Sequence, residues 1–496
     1  MNADTLPELL AARAASHADK VAFATRDDSV TYRELFDEAR ALSGALGVSN
    51  GDRVALILPA GLDFIRLFWA VQMSGATAVA FNPYVPEITA QKRAERVKPA
   101  RIVRSLDDLP GSRQPATSNA SAEALAFLQP TSGTSGESRA VMIRHRNIMA
   151  VLHASAEALQ IGESDVLVSW VPPWHDLGLV RFVIGTVYAG ATCHVVQPAI
   201  NTIPEWLATV SEVRGTITGA PDFAIRLAAR LVNPAKVDLS SLRYVTNGGE
   251  AVRLSTIKAF EERFNVRPGV VLPGYGLAEA TLGVTCVRPG ETIRADARGN
   301  VSCGTPFPGV EVRVDPTGEL LVRGPGVFAG YFEAEEATRA ALADGWLHTG
   351  DVGYEDADGS FYILGRKRAM LKRGGAVLAP RELEEAAQEV PGVKIACAVG
   401  VSSEATEEIV VAVESESDPE PLAAGVAQKI QEVLGFAPER VLVLEPRSIP
   451  RTYNGKLRHD ALRTMLVNGE LESVTRYDSR SSWNTRGVTS PGAPAR

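Results

Sequence analysis

Thr131-Ser132-Gly133-Thr134-Ser135-Gly136 is the segment whose composition points most directly to chemistry. Glycine lets successive backbone N–H groups converge on an anion, and the Ser and Thr hydroxyls add rotatable donors for phosphate oxygens. The segment follows the apolar run Ala124 to Leu128, so it reads as a turn leaving a strand. Taken alone, it fits a triphosphate cradle and a Ser/Gly-rich linker equally well. It is not the GxxxxGK[ST] phosphate loop, and no such sequence occurs in the chain. Cys193, Cys286, Cys303 and Cys397 are isolated, without metal-ligand spacing, and read as small apolar residues in a reducing compartment.

The elements that must position such a loop follow from periodicity. From Val21 to about Pro198, β-branched runs such as Arg53 to Leu58 alternate with segments of helical period, the pattern of βαβ units, and the alternation resumes from Thr216 to Tyr275. Thr31 with Glu34 forms a capping box that opens one helix. Between Val301 and Tyr362, Gly, Pro and Asp punctuate short strands, notably Glu311 to Val314 and Glu319 to Arg323, which predicts a small β-rich subdomain. A compact α/β pattern restarts after Gly365-Arg366-Lys367-Arg368. It comprises helices near Pro380 to Glu389 and Ala424 to Leu434, and strands near Ile395 to Val401, Glu408 to Val413 and Arg440 to Leu444. The expected domains are 1–365, 366–469 and a disordered tail, 470–496, rich in Ser, Arg, Gly and Pro.

A chain of 496 residues with 45% apolar content has material for two or three globular units. Its formal charge of -8 arises from interspersed acids and bases, which leaves no basic face for nucleic acid. The amphipathic stretch Met1 to Lys20 lacks the apolar block of a signal peptide, and no charge-free apolar run is long enough to span a bilayer. A cytoplasmic location is the expectation.

Read together, seven ordered segments resemble the adenylate-forming superfamily of acyl-CoA synthetases, adenylation domains and luciferases, with the fatty acyl-AMP ligases as the nearest branch. They are the Thr131 to Gly136 loop, Pro173-Trp174-His175-Asp176-Leu177-Gly178, Asn247-Gly248-Gly249-Glu250, Tyr275 to Leu282, His348-Thr349-Gly350-Asp351, Gly365-Arg366 and Asn454-Gly455-Lys456. The resemblance implies an α/β fold with a large N-terminal domain of two βαβ-type subdomains and a small β-rich subdomain, followed by a small mobile α/β C-terminal domain. It implies ATP-dependent conversion of a carboxylic acid to an acyl-AMP, then transfer to the thiol of coenzyme A or of a carrier protein's phosphopantetheine. A nucleotide-binding regulatory protein of the same fold is the alternative function.

By the same resemblance, Thr131, Ser132, Gly133, Thr134 and Ser135 cradle the phosphates, and Gly248, Gly249 and Glu250 form an adenine shelf flanked by Tyr275 and Gly276. Asp351 holds the ribose hydroxyls, with Arg366 near the ribose or the α-phosphate. Glu279 holds magnesium, whose hardness suits carboxylate oxygen. Lys456 bridges the substrate carboxylate and the α-phosphate, and His175 gates the acyl tunnel. Trp170, Trp174, Val180, Arg181, Pro221, Phe223 and Ala278 line that tunnel, and Arg181 stands where relatives carry a small or apolar residue. Two further departures matter. Arg139 replaces the lysine that follows the phosphate loop, and Arg368-Ala369 replaces the acidic or basic pair at the joint between the domains. No long insertion of the kind found in fatty acyl-AMP ligases is evident.

Overall fold

The computed structural model describes residues 3–109, 114–131, 139–373, 376–402, 407–451 and 457–479. Among them, the larger of two compact units runs to Ile363, except that Gly350–Val352 group with the smaller unit, which begins at Leu364.

The larger unit holds two predominantly parallel sheets. One has five strands, in the order Arg101–Val103, Arg53–Leu56, Thr77–Ala80, Leu125–Pro130 and Ala140–Arg144, with only the last pair antiparallel. The other has nine strands, and its parallel centre runs Val271–Gly276, Tyr244–Asn247, Ile217–Ala220, Val166–Ser169, Thr192–Val195 and Val21–Ala24. The two βαβ halves foreseen from the sequence are therefore not consecutive. Val21–Ala24 joins the later strands, and the five-stranded sheet is inserted after it. A third, antiparallel sheet contains Glu311–Val314, Glu319–Arg323 and Trp346–Glu355, in the β-rich stretch.

Local signals match the elements they open. Thr31 and Glu34 exchange a reciprocal pair of bonds, Glu34 N–H to Thr31 Oγ1 at 3.2 Å and Thr31 N–H to Glu34 Oε2 at 2.8 Å, and the helix Tyr32–Ala45 follows. The helix Leu62–Met73 is apolar almost all round, and it is correspondingly buried except along the narrow face of Asp63 and Arg66.

In the smaller unit, four strands lie in the order Ile395–Ser402, Glu407–Glu414, Arg440–Leu444 and Thr475–Asp478. Strand periodicity divides its core. Ala396, Ala398, Val411 and Val443 face the helices Pro380–Gln388 and Pro419–Leu434, while Cys397, Val399, Val410 and Leu442 face the helix His459–Val467. The expectation of disorder from residue 470 fails at its start. Thr475–Asp478 pairs antiparallel with Arg440–Leu444, and Arg440 Nε reaches both Asp478 oxygens at 3.0 Å. The β-forming Thr475 and Tyr477 outweigh the polar composition around them.

His145 joins two elements of the larger unit, because its buried Nδ1 accepts from the Leu6 N–H at 3.2 Å. Burial lowers its pKa from 6.5 to about 4. As pH falls below 6.5 the unfolded chain takes up a proton that the folded chain refuses, so stability is present above that value and is lost toward pH 4. The expected loss is up to about 3 kcal/mol over that window. Urea denaturation at pH 7 and pH 4.5 checks this, with His145→Gln flattening that part of the profile.

Candidate active site

The parallel strands Tyr244–Asn247 and Val271–Gly276 deliver Gly248-Gly249-Glu250 and Tyr275-Gly276 to one sheet edge, the carboxyl edge, where α/β sheets bind ligands. Backbone meets backbone there. A Cβ on Gly248 would lie 2.7 Å from the Gly274 carbonyl oxygen, and one on Gly276 would lie 1.8 Å from that of Leu282. Gly249 has φ +81°, in the left-handed region. Glu250 Oε1 accepts from the Phe223 N–H at 2.6 Å, in the first turn of the helix Asp222–Leu231. The buried Asp222 carboxylate accepts from the Arg253 N–H at 3.0 Å and from Thr256 Oγ1–H at 2.9 Å. The Pro221 turn is thus tied from two sides.

Glu279 lies in the 3₁₀ turn Ala278–Ala280, half-buried. Tyr331 Oη–H donates to its Oε1 at 2.8 Å, and the Arg139 guanidinium carbon sits 5.2 Å from the Tyr331 ring centroid. Burial, and then the Glu279 carboxylate, push the Tyr331 phenol well above its usual range. The turn ends on Thr281 at φ +68°, a strained conformation for a β-branched residue, held by an Oγ1–H bond to the Gly326 carbonyl at 2.6 Å. The N–H and Oγ1–H of Thr131 both reach the Arg139 carbonyl oxygen, at 2.8 and 3.2 Å, closing the two ends of the phosphate-loop segment.

Beside this edge, Asp176 Oδ1 accepts from the Leu177 N–H at 2.7 Å and starts the π-helical segment Leu177–Ile184. Such segments recur at functional sites. His175 Nδ1 lies 2.5 Å from the same oxygen, with the ring partly exposed. Trp174 is buried edge-on to Tyr84, with ring centroids 5.7 Å apart. In the smaller unit the buried Asp351 receives Arg366 Nε at 3.1 Å. Arg368 pairs with Asp460 at 3.3 Å, and Ala369 is buried in the short turn that follows Arg366.

The sequence matches the AMP-binding enzyme family over residues 10–110 and 87–332. The chain belongs to the AMP-binding enzymes. Two curated relatives agree in extent. The medium-chain-fatty-acid acyl-carrier-protein ligase JamA of Moorena producens is 27% identical, over 90% of this chain and 91% of its own. The 7a-methyl-1,5-dioxo-octahydro-1H-indenyl propanoyl:CoA ligase of Rhodococcus jostii is 29% identical, over 92% and 98%. A solved structure from a study of fatty acyl-adenylate ligases of E. coli and L. pneumophila superposes with a TM-score of 0.83 at 25% identity, covering 95% of this chain and 99% of that one. This AMP-binding enzyme is an acyl-AMP-forming ligase: it activates a carboxylic acid with ATP and passes the acyl group to a thiol.

Within the AMP-binding enzyme fold, the expected site residues are distributed unevenly. Gly248, Gly249, Glu250, Tyr275 and Gly276 share the carboxyl edge, and Glu279 follows them. Trp174, Val180 and Ala278 belong to one apolar core, whereas Trp170 and Phe223 join another. Trp170 stacks on Trp206 at 5.5 Å, and its indole N–H is satisfied by Thr202 Oγ1 at 3.0 Å, so it packs as a core residue. The segment 132–138, with Ser132, Gly133, Thr134 and Ser135, and Lys456 lie outside the described residues.

Sequence reasoning missed Tyr331, whose only signal is a glycine followed by an aromatic pair, Gly330-Tyr331-Phe332. Replacing Tyr331 with Phe keeps the ring and removes the bond to Glu279. Bonds to charged groups contribute about 1.5–3 kcal/mol, so acid-dependent pyrophosphate–ATP exchange should fall roughly tenfold or more if the carboxylate works in that step. Steady-state exchange on the Tyr331→Phe variant is the measurement.

Proposed function

We propose that the carboxyl edge of the nine-stranded sheet binds the nucleotide and that Glu279 holds magnesium. The observation that carries this reading is the Arg139–Tyr331–Glu279 relay, which fixes a carboxylate next to the closed base of the phosphate-loop segment. The donor chemistry fits the ion: carboxylate oxygen is a hard ligand, and the bond from Tyr331 occupies only part of the acceptor capacity of Oε1. Bound there, magnesium supplies positive charge to the phosphates. Gly248, Gly249 and Glu250, with Tyr275 and Gly276, offer the base a flat shelf of backbone and ring. Asp351, oriented by Arg366, accepts from the ribose hydroxyls. His175 and Trp174 stand where the acid approaches. Residues 366–469 are read as the small domain that carries Lys456.

Activation brings the substrate carboxylate against the α-phosphate, two anions whose meeting needs positive charge. Lys456 and the phosphate-loop donors Thr131 to Ser135 supply it. The acceptor thiol belongs to a phosphopantetheine arm, either free in coenzyme A or mounted on a carrier protein, the two acceptors that the names of the relatives mention.

The first test is exchange activity across a panel of acids, followed by acceptor assays with coenzyme A and a holo carrier protein. Nucleotide binding without exchange for any acid would favour the regulatory alternative. Glu279→Gln should depress exchange most strongly at limiting magnesium, and rates unchanged there would remove the metal assignment. Lys456→Ala should cost adenylation about 2–4 kcal/mol, the usual worth of a preorganised charge at a developing anion. Transfer from a supplied acyl-AMP has no such meeting of anions and should stay near normal. Equal loss in both half-reactions would contradict the role given to Lys456.

A further inference from the structure

Arg181 is only 5% exposed, yet its Nε is buried without an acceptor among the described residues. A buried charge is normally paired, because desolvating it is costly. The helical segment that carries it, Leu177–Ile184, lies against the nine-stranded sheet. A Cβ built on Gly219 would meet Phe182 at 3.4 Å and Thr246 at 3.3 Å, so this segment faces the same side of Tyr244–Asn247 that Thr246 faces. Tyr244, two residues earlier on that strand, points to the same side. Its Oη and the Thr246 Oγ1 are likewise buried without partners. The Arg181 charge acts on the Tyr244 phenol and on the neighbouring Cys286 thiol, drawing both down against the larger effect of burial.

Three buried polar atoms on facing surfaces therefore have nothing among the described residues to satisfy them, although native interiors pair nearly all such atoms. Every one of them can donate a hydrogen bond, and one belongs to a permanent cation. Leucine would fill the same space in an apolar tunnel without that cost. The strand that carries Tyr244 and Thr246 runs straight into Gly248, the start of the nucleotide shelf. The cluster thus lies below the place where the reacting carboxylate would sit.

We propose that Arg181, with Tyr244 and Thr246, receives a second carboxylate borne by the acid, so that the enzyme activates one end of a dicarboxylic acid. This rests on the acyl-AMP-forming reading above and gives it a substrate class. Electrostatic complementarity would reject plain alkyl acids of the same length, which leave the cation unpaired.

The test compares a straight-chain monocarboxylic acid, the dicarboxylic acid of equal length and the matching ω-oxo acid, at several lengths, with the full chain. Exchange gives KM and kcat, and calorimetry gives the dissociation constant of each acid. The wild type should favour the dicarboxylic acid at least tenfold in kcat/KM, mainly through KM. Arg181→Met should reverse that ratio, Arg181→Lys should restore part of it, and Tyr244→Phe should weaken it without changing side-chain packing. If Arg181→Met does not fold, the lysine and phenylalanine variants decide.

The same acid ranking in wild type and variants, or a monocarboxylic preference in the wild type, overturns the proposal and leaves the ligase reading intact. A preference for the ω-oxo acid overturns the assignment of a carboxylate. Arg181-dependent binding of the dicarboxylic acid without exchange overturns the ligase reading and supports the charge recognition.

Discussion

At the carboxyl edge of the nine-stranded sheet the backbone runs so close to itself that side chains are excluded. Gly248 against Gly274 and Gly276 against Leu282 leave no room for a methyl group. The Glu250 and Glu279 side chains are placed relative to this contact. Glu250 can reach back to the Phe223 N–H because the chain turns at Gly249, and Glu279 can enter its short turn because Gly276 lets one strand fold onto the next. The edge is built from backbone geometry first and side chains second, which suits a reaction that depends on alignment and charge more than on covalent participation.

Strain is confined to the same neighbourhood. Thr281 is held at positive φ by its hydroxyl bond to the Gly326 carbonyl, two residues from the carboxylate that Tyr331 grips. A residue held so far from its preferred conformation persists only where the surroundings overdetermine it. Here those surroundings are the segment from Gly326 to Tyr331, which bonds the Ala278–Thr281 turn at its carboxylate, its backbone and its hydroxyl. The turn is thereby presented as a rigid object.

Much of this was legible in the residues. Strand and helix periods located most elements within a few positions, and the glycines at the sheet edge stood out within Asn247-Gly248-Gly249-Glu250 and Tyr275 to Leu282, two of the segments that carry the family resemblance. What the sequence withheld were relations across distance. Trp170 looked like a tunnel residue from its place in the chain, but whether an indole faces a substrate or stacks on Trp206 is decided by a helix more than thirty residues later. Tyr331 gave no local sign beyond a glycine and an aromatic neighbour, because its partner lies fifty-two residues earlier. Arg181 was recognisable as a cation in an apolar stretch, but only packing could show that its Nε is buried and meets no acceptor among the described residues. The strand Thr475–Asp478 was lost among polar residues because its pairing depends on Arg440, far upstream.

That last strand has a consequence for how the chain is made. It forms the outer edge of the four-stranded sheet in the smaller unit, beside Arg440–Leu444, and it is among the last residues described. A protein synthesised from its N-terminus can close the two parallel sheets of the larger unit while the ribosome is still working. The smaller sheet is completed later. It must wait until residues 475–478 have left the exit tunnel, and until then Arg440–Leu444 offers an unpaired edge to any other nascent chain.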